Sequence, residues 1–540
     1  MTTKMDGELR HKFNRIKSAF EKGQLDRRGF IVAALGVGVA SSTVFGHVKK
    51  VEAATPKAGG RYRQALTGGG SGDTLNPAQI LDSYMINVSF GMLRNNLTEI
   101  GSDNQLTSEL AESWEATPDA KQWTFKIRKG VEFHNGKTLD ATDVVDSINH
   151  HRGESDSAAK GIVSAITDVK ADGDTVVVTL SGGSADFPFL MSDYHLGICP
   201  SKGDGTIDWE SGVGTGGYSL ESFEPGVRTV VKKNPNYWKE GRAWFDEVES
   251  LFVADANARN TGLQTGELDS ITNLDLNTVS LMRMVPTINV FETYGNKHAT
   301  LPMNCQAAPF SNNDVRLALK YSLNRQEWVD KLLQGLGEVG NDHPVGPANV
   351  YRATKEELPQ RQFDPEKAKF HLKKAGMENL KVDLNIADTA FEGAVNGAQL
   401  FAETAKQSGI ELNVVREPDD GYWSNVWLKK DFCGSYWGGR PTEDWVFSQI
   451  YSAGADWNES RWENDRFNKL LIEARAELDS AKRREMYVEM QQICNEDCGS
   501  IIPIFMAYTQ AASTKIGLPE QLASNWELDG HKNAERWWFK

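Results

Sequence analysis

Short stretches in which apolar and polar residues alternate recur along the chain and predict β-strands. The first is GGRYRQAL at 59–66, and later ones are DTVVVTL at 174–180 and RTVVKKNPNYW at 228–238. The stretch WTFKIRKGVEFHNGKTL at 123–139 alternates on both sides of Asn135-Gly136. Because Asn and Gly tolerate positive φ, this stretch predicts a β-hairpin.

Other stretches repeat apolar residues at helical spacing. DATDVVDSINHH predicts a helix that begins at Asp140 or Thr142, and INVSFGMLRNNLTEI predicts one that ends near Asn96. Further predicted helices span 313–333, 364–376 and 465–497. The helix at 364–376 starts on Asp364-Pro365 and ends at Gly376, as capping rules expect.

The segment 380–417 combines both patterns. LKVDLNIAD and IELNVVRE predict strands, and a predicted helix at about 394–408 separates them, which makes a β-α-β unit. Short strands alternate with helices along the whole chain. We therefore expect an α/β protein with mixed sheets.

Composition narrows the function classes. At 540 residues, the chain is long enough for three or four folding units. Its 39% hydrophobic and 25% charged residues are typical of a globular protein. A net charge of -15 argues against nucleic acid as a partner, because phosphate binding needs clustered Lys and Arg.

The N-terminal segment 1–53 predicts an export signal. It holds the pair Arg27-Arg28 and then an apolar run, and small residues follow at 51–56. The arginine pair followed by x-Phe resembles the twin-arginine signal, whose machinery exports folded proteins. The apolar run is too short for a membrane span of about 20 residues. No cysteine stands at the cleavage region after Ala53 or Ala54, so we expect a soluble periplasmic protein without a lipid anchor.

Cysteine and histidine usage points to neither a cofactor nor a metal. There are five cysteines, so at least one thiol is unpaired, and no zinc-type spacing occurs. Cys494 and Cys498 lie one helical turn apart, and we interpret them as small buried residues rather than a disulfide. His150 and His151 are adjacent on a helix and are predicted to point apart on the surface.

One long series of motifs resembles a known family. LAESWEATPDAKQWTFKIRKGVEFHNGKTLDATDVVDSI at 110–148 is similar to the signature region of the family 5 bacterial extracellular solute-binding proteins. Those proteins are dipeptide, oligopeptide and nickel receptors of ABC importers. The likeness continues in order through the segments 214–238, 262–269, 301–325, 364–376 and 500–505. It covers essentially the whole predicted mature chain.

The resemblance implies a bilobed periplasmic-binding-protein fold of class II type, with the ligand buried between two lobes. By position, the first lobe combines 56–98, 210–300 and 506–540, an extra domain spans 99–209, and the second lobe spans 301–505. The implied partners are the permease subunits of an inner-membrane ABC transporter and a small-molecule or peptide-like ligand. We expect a monomer that is not an enzyme.

The segment SYWGGRPTEDW at 435–445 carries the candidate ligand site. In the family's peptide receptors the corresponding turn resembles W-[GC]-A-D, and its aspartate pairs with the peptide ammonium. Here Arg440 stands in that place, so the resemblance implies a ligand with an anionic group, which an arginine fork binds well. The predicted ligand-binding residues are Arg440, Tyr436, Trp437, Gly438, Gly439, Trp445, Asp444 and Trp423.

Three alternatives stay open. Arg440 could pair with Glu443 or Asp444 and never meet a ligand. A secreted hydrolase could use those two acids, although adjacent residues seldom face one scissile bond, and neither G-x-S-x-G nor H-E-x-x-H occurs. Within receptors, the ligand is either peptide-like or a non-peptide acid such as an opine. Nickel is disfavoured, because a cation would face Arg440.

Overall fold

The computed structural model describes residues 56–391, 393–419 and 421–540, so the predicted export signal at 1–53 lies outside the described residues. The described strands, in chain order, are β1 Arg61–Leu66, β2 Thr98–Ile100, β3 Leu106–Ser108, β4 Ala111–Ala116, β5 Gln122–Ile127, β6 Ile166–Asp172, β7 Thr175–Leu180, β8 Tyr218–Glu224, β9 Arg228–Lys233, β10 Glu247–Phe252, β11 Ser270–Thr272, β12 Ile288–Pro302, β13 Gly337–Val339, β14 Lys381–Ile386, β15 Glu411–Arg416, β16 Ser435–Trp437, β17 Ser500–Ile501, β18 Ile504–Ser513, β19 Ile516–Gly517 and β20 Trp538–Phe539.

Helices alternate with these strands. The described α-helices are Ser83–Val88, Ala141–Asn149, Lys160–Val163, Phe187–Leu190, Ala256–Thr265, Leu276–Met282, Asn313–Ser322, Arg325–Lys331, Pro365–Ala375, Ala394–Lys406, Tyr422–Asn425, Glu443–Val446, Asp465–Ala476, Ser480–Asp497 and Asn533–Arg536. Single turns of 3-10 or π geometry are Pro77–Gln79, Ser89–Leu93, Tyr194–Leu196, Asp388–Ala390 and Phe447–Tyr451. Many helices begin at a side-chain cap. Asp140 caps Ala141–Asn149, which confirms one of the two predicted start residues, and it does so through a reciprocal pair with Asp143.

The largest sheet has ten strands and is mixed. Its main order is β16-β12-β18-β11-β1-β10-β9-β8, with β13 beside β18 and β17 beside β12. Strand β1 is parallel to β10 and β11, whereas β12 and β18 pair antiparallel along most of their length. Apolar side chains such as Ala65, Ile271, Leu301 and Ile504 fill the core beside this sheet. The short strand β16 lies at its edge.

A separate antiparallel sheet has the order β4-β5-β7-β6. The inward residues Phe125, Val176 and Val178 pack with Val144 and Ile148 of the helix Ala141–Asn149 in a core of their own. The predicted hairpin is only partly right. The turn at Asn135-Gly136 forms, but a single bridge between Glu132 and Thr138 flanks it, because β5 pairs with β4 and β7 instead.

The predicted β-α-β unit is confirmed. Strands β14 and β15 are parallel, and the helix Ala394–Lys406 connects them. The helix Pro365–Ala375 starts at Asp364 and ends at Gly376, as predicted; Gly376 adopts φ 69°.

Two long predicted helices are each divided in the structure. The predicted helix at 313–333 is interrupted at Asn324, whose extended backbone lets its side chain cap the second half. The predicted helix at 465–497 is interrupted between Ala476 and Ser480, where Asp479 caps the second half in the same way. The predicted helix that ends near Asn96 stops at Leu93. The helical spacing of apolar residues continues across both interruptions, because the helices on either side of each one bury their apolar faces.

The prediction of two surface histidines is wrong for His151. Its ring is buried and its Nδ1 lies 2.7 Å from the Ser157 hydroxyl. The rings of His150 and His151 meet edge to face at 5.4 Å, because the helix ends at Asn149 and the chain turns there. Cys494 and Cys498 are buried free thiols, as predicted.

None of the helices within the described residues has the length and apolar character that crossing a membrane requires.

The lobe and extra-domain bounds remain predictions.

Candidate functional site

A cavity of about 1040 Å³ lies between distant parts of the chain. Residues from 158–195, 436–457 and 508–531 line it, with Leu81, Ser83, Ile86, Asn273, Lys297 and Arg475. The first of these segments belongs to the region of the four-stranded sheet, and the second begins at the edge strand β16. A cavity of this size can enclose a small organic molecule.

Strand β16 carries the turn Trp437–Arg440 to the cavity wall. Its pairing with β12 places Trp437 opposite His298 and Ser435 opposite Thr300. After the strand, the Arg440 carbonyl accepts hydrogen bonds from the Nδ2 atoms of Asn296 at 3.0 Å and Asn349 at 3.1 Å. Two amide side chains therefore fix the backbone that presents the arginine.

Arg440 faces the cavity, and no acidic side chain of the described residues forms an ion pair with it. Its Nε donates to Gln449 Oε1 at 2.7 Å, and its Nη1 donates to the Gly439 carbonyl at 2.9 Å. Among the described residues, no carboxylate lies within 4.0 Å of the guanidinium, and Nη2 has no hydrogen-bond partner. Burial lowers the pKa of Arg440, although its normal value is so high that the group stays charged.

Aromatic rings flank the guanidinium. Its Cζ lies 5.6 Å from the ring centroid of Trp437 and 5.6 Å from that of Trp445. Cation–π contacts of this kind hold the planar group without neutralising its charge.

The two acids next to Arg440 in sequence have other partners. Asp444 accepts from Arg475 Nε at 3.0 Å, and the Arg475 side chain also reaches Ser448. Glu443 is buried and accepts from the Tyr351 backbone N–H at 2.6 Å. Burial raises the pKa of Glu443 to about 7. The alternative in which Arg440 pairs with one of these acids is therefore wrong.

The other predicted site residues divide between two adjoining cavities. Tyr436, Gly438, Gly439, Asp444 and Trp445 line the large cavity with Arg440. Trp423 and Trp437 instead line a smaller one of about 280 Å³, which also borders Tyr436, Gly438 and Arg440.

The smaller cavity has aromatic walls. The rings of Trp423 and Tyr436 meet at 5.8 Å, and those of Trp437 and Trp457 at 5.6 Å. Trp437 is nearly buried, and its Nε1 donates to the buried Glu459 at 3.1 Å. Trp437 therefore anchors this wall from behind, whereas Trp423 and Tyr436 keep exposed faces.

The sequence reasoning missed the wall formed by Tyr194, His195, Tyr508, Trp526, Glu527 and His531. These residues lie far from 435–445 in sequence and carry no spacing that would group them. A hydrogen bond of 3.2 Å from the Tyr508 hydroxyl to the Gly438 carbonyl joins this wall to the turn.

A left-handed turn shapes the far end of this wall. Leu528, Asp529 and His531 adopt φ of 51°, 57° and 62° around Gly530. For residues with a side chain this conformation costs roughly 1–2 kcal/mol each. Hydrogen bonds offset that cost: Leu528 N–H donates to Gln510 Oε1 at 2.6 Å, and Asp529 Oδ1 accepts from Ala523 N–H at 2.7 Å.

Among the described residues, no group of three or more His, Cys, Asp or Glu side chains is arranged to hold a metal ion. The cavity wall combines the charged Arg440 with tyrosines, aromatic rings, carboxylates and histidines.

Comparison with known proteins gives a consistent result. Residues 105–459 match the family model of the bacterial extracellular solute-binding proteins, family 5. The dipeptide-binding protein of Escherichia coli (strain K12) is 26% identical over 480 residues, which are 80% of this chain and 87% of the relative.

Two solved structures share the fold. HbpA2 from Haemophilus parasuis superimposes with a TM-score of 0.75 at 22% identity, covering 85% of this chain and 96% of the other. The PBP AgaA of A. tumefaciens R10, solved in complex with agropinic acid, gives a TM-score of 0.70 at 23% identity, covering 89% of this chain and 99% of the other.

Proposed function

Because this chain belongs to the family 5 bacterial extracellular solute-binding proteins, and is a solute-binding receptor rather than a hydrolase, we propose that its ligand is a small organic solute with an anionic group that Arg440 binds. The receptor then passes that solute to the permease of an ABC importer. The observation that supports the proposal is the guanidinium of Arg440 in the wall of a large cavity, with no carboxylate of the described residues within 4.0 Å.

The surroundings of Arg440 favour an anion over a cation. A charged group without a counter-ion in a partly desolvated site gains most from an ionised partner. The Arg440 Nη2, which makes no hydrogen bond within the described residues, provides a donor, and Tyr194 and Tyr508 line the same cavity. A peptide ammonium or a nickel ion placed here would be repelled.

Two kinds of acid fit this description. The Escherichia coli relative is named for binding dipeptides. A dipeptide carboxylate would reach Arg440 if the peptide were bound in the opposite direction to a peptide whose ammonium meets an aspartate at this turn. AgaA was solved with agropinic acid, which makes a non-peptide acid the second possibility. In both cases Arg440 binds the acid group of the ligand.

The remaining parts of the proposal concern location. The Arg27-Arg28 segment would direct the folded protein through the twin-arginine export machinery to the periplasm. There the protein would act as a soluble monomer. Its permease partner would be the inner-membrane subunits of the importer.

Arg440 variants test the proposed function. Thermal-shift and calorimetric measurements would give the affinities of organic acids and of their uncharged amides. Each compound would be measured with the wild type, Arg440→Lys and Arg440→Met. We expect acids to bind and amides to bind at least about tenfold more weakly, since a charge-assisted bond contributes about 1.5–3 kcal/mol. Arg440→Met should lose that preference, and Arg440→Lys should keep part of it.

The matched control is Arg466→Met. Arg466 is an exposed arginine that pairs with Glu489 away from the cavity, so its loss changes the net charge equally. Acid binding that is unchanged in Arg440→Met would make the guanidinium a structural group and would refute the anion proposal.

A further inference from the structure

Aromatic side chains remain exposed around the smaller cavity. Among the described residues, four Phe, Tyr or Trp side chains are exposed, and three of them, Trp423, Tyr436 and Trp457, line this cavity of about 280 Å³. Their exposed fractions are 39%, 43% and 40%. The fourth, Phe370, lies on the helix Pro365–Ala375 and lines neither cavity. Exposed rings that are grouped around one concave surface are typical of a binding site.

Two further tryptophans hold the wall of this cavity in place. The buried carboxylate of Glu459 accepts hydrogen bonds from Trp427 Nε1 at 2.7 Å and from Trp437 Nε1 at 3.1 Å. The Thr300 hydroxyl donates to the same carboxylate at 3.1 Å. Because one buried acid bonds both indole N–H groups, the orientations of the two rings are fixed before a ligand binds, which lowers the entropy cost of binding.

The exposed rings pack against this fixed pair. The ring centroids of Trp423 and Trp427 are 6.0 Å apart with an interplanar angle of 78°, and those of Trp457 and Trp437 are 5.6 Å apart. Trp423 also meets Tyr436 at 5.8 Å and 63°. Rings prefer such edge-to-face contacts, because the positive edge of one meets the negative face of another. The cavity therefore presents ring edges and faces to which one more planar ring fits.

The same wall offers little to a strongly polar group. Ser435 lines the cavity but is only 1% exposed, and Glu459 does not line it. A sugar would bury several hydroxyl groups here and would need a hydrogen bond for each of them. An organic cation would meet the charge of Arg440, which also lines the cavity. An apolar ring has neither cost.

The smaller cavity continues from the large one. Tyr436, Gly438, Arg440 and Trp457 line both of them. The Arg440 Cζ lies 5.6 Å from the ring centroid of Trp437, which lines the smaller cavity. A solute whose acid group binds the guanidinium can therefore extend an attached group into the smaller cavity. An aromatic group in that place also gains a cation–π contact with the guanidinium.

We propose that the smaller cavity binds an aromatic ring of the solute, so that the solute is an aryl-substituted organic acid. This inference rests on the proposed function and names the solute class more narrowly. Arg440 binds the acid group, and Trp423, Tyr436 and Trp457 contact the ring.

The test uses two scaffolds, because the ring of an aryl acid is carried either by an alkyl chain or by an amino-acid backbone. The scaffolds are propanoate and N-acetylalanine. Each is used with a phenyl ring, with a cyclohexyl ring and without a ring, and each phenyl form is also used as its uncharged amide. Calorimetry, by competition where binding is weak, gives Kd for every compound, and the scaffold that binds identifies the source of the ring.

On at least one scaffold, we expect the phenyl acid to bind the wild type about tenfold or more tightly than the ringless acid, because the ring loses its contact with water. The phenyl acid should bind about threefold more tightly than the cyclohexyl acid, since aromatic contacts add to the effect of burial.

Trp423 variants locate the ring, because Trp423 lines the smaller cavity and not the large one. Trp423→Ala should lower the preference for the phenyl acid over the ringless acid at least about threefold, and Trp423→Phe should keep most of it. Phe370→Ala is the matched control. It removes an exposed aromatic side chain that lines neither cavity and should keep all of the preference.

The outcomes separate the two proposals. Three results overturn the inference and leave the proposed function standing: equal affinity for the phenyl and ringless acids, equal affinity for the phenyl and cyclohexyl acids, or a phenyl preference that Trp423→Ala leaves unchanged. Amides that bind as tightly as the acids, or binding by no acid at all, overturn the proposed function and the inference with it.

A second measurement applies if circular dichroism shows that Trp423→Ala fails to fold. Acrylamide quenching of tryptophan fluorescence is then compared in the wild type saturated with the phenyl acid or with the ringless acid. The phenyl acid should shield the fluorescence more, because its ring covers the exposed Trp423 and Trp457. Equal shielding by the two acids overturns the inference.

Discussion

At the residue scale, Gly438 and Gly439 are adjacent in sequence but differ in whether the position tolerates a side chain. Gly439 adopts φ +85°, and a Cβ built on it would lie 2.8 Å from the Asn296 Cβ. Gly438 has no positive φ, and a Cβ on it would meet nothing within 4 Å. The turn that presents Arg440 therefore depends on one glycine, since only there do backbone conformation and close approach both exclude a side chain.

Gly439→Ala should consequently lower stability by about 1–3 kcal/mol and weaken ligand binding, because the turn must shift away from Asn296. Urea unfolding and calorimetry with an acid that binds the wild type would measure both effects. Gly438→Ala is the matched control, and we expect it to change neither quantity beyond about 0.5 kcal/mol. Equal effects at the two positions would contradict this account of the turn.

Glu443 makes stability depend on pH. Burial raises its pKa in the folded protein from 4.5 to about 7, so the folded state holds a proton that the unfolded state releases. Its contribution is complete below about pH 4.5 and is lost as the pH rises through about 7, by on the order of 3 kcal/mol.

Glu443→Gln should remove this dependence while keeping an acceptor for the Tyr351 N–H. Urea unfolding from pH 5 to 8 should therefore show the variant gaining stability relative to the wild type as the pH rises. A constant difference between the two proteins across that range would show that Glu443 does not titrate there.

The sequence located part of the site at this scale. Arg440 could be singled out because the sequence resemblance places it where the family's peptide receptors carry an aspartate, and the glycines and aromatic residues around it are local in sequence. Glu527 and Tyr508 could not, because the pairing of β12 with β18 and the left-handed turn bring them to the cavity. Those contacts join residues that no short-range pattern connects.

At the element scale, a short segment at 183–186 connects the four-stranded sheet region to the helices that follow the Arg440 turn. The Ala185 N–H donates to the Arg475 carbonyl at 2.7 Å, and Asp186 forms a buried ion pair of 2.6 Å with Arg483. Arg483 lies on the helix Ser480–Asp497. This contact holds two cavity walls together.

Breaking the buried pair should favour an open form. Asp186→Asn leaves Arg483 buried without an acid, which costs about 3–5 kcal/mol in comparable sites. We expect ligand affinity to fall at least tenfold and the radius of gyration at saturating ligand to increase. The exposed pair of Arg466 and Glu489, which joins the helices Asp465–Ala476 and Ser480–Asp497, provides the control: Glu489→Gln should cost at most about 1 kcal/mol and leave binding unchanged.

The elements themselves were largely predictable, and their ends were not. Alternation identified β1, β7 and β9, and capping residues identified the helix Pro365–Ala375. The break at Asn324 and the loss of the hairpin arms beside Asn135-Gly136 depend on tertiary pairing. Hydrophobic spacing continued through both places, so the sequence alone could not show them.

At the scale of the whole molecule, the cavity lies among segments that are hundreds of residues apart in sequence. The fold follows from family membership, since residues 105–459 match the family model. The ligand does not follow from it, because the sequence resemblance predicts that this chain departs from the family's peptide-binding turn at Arg440. We therefore expect specificity to depend on the assembled cavity, which has Arg440 in its wall.

The most direct measurement of this account is mass spectrometry of the small molecules released from natively exported protein. We predict an organic acid that rebinds the empty wild-type receptor chemically unchanged and is missing from the same preparation of Arg440→Met. A molecule without an acidic group, or one that Arg440→Met retains equally well, would contradict the central claim that Arg440 selects an anionic solute.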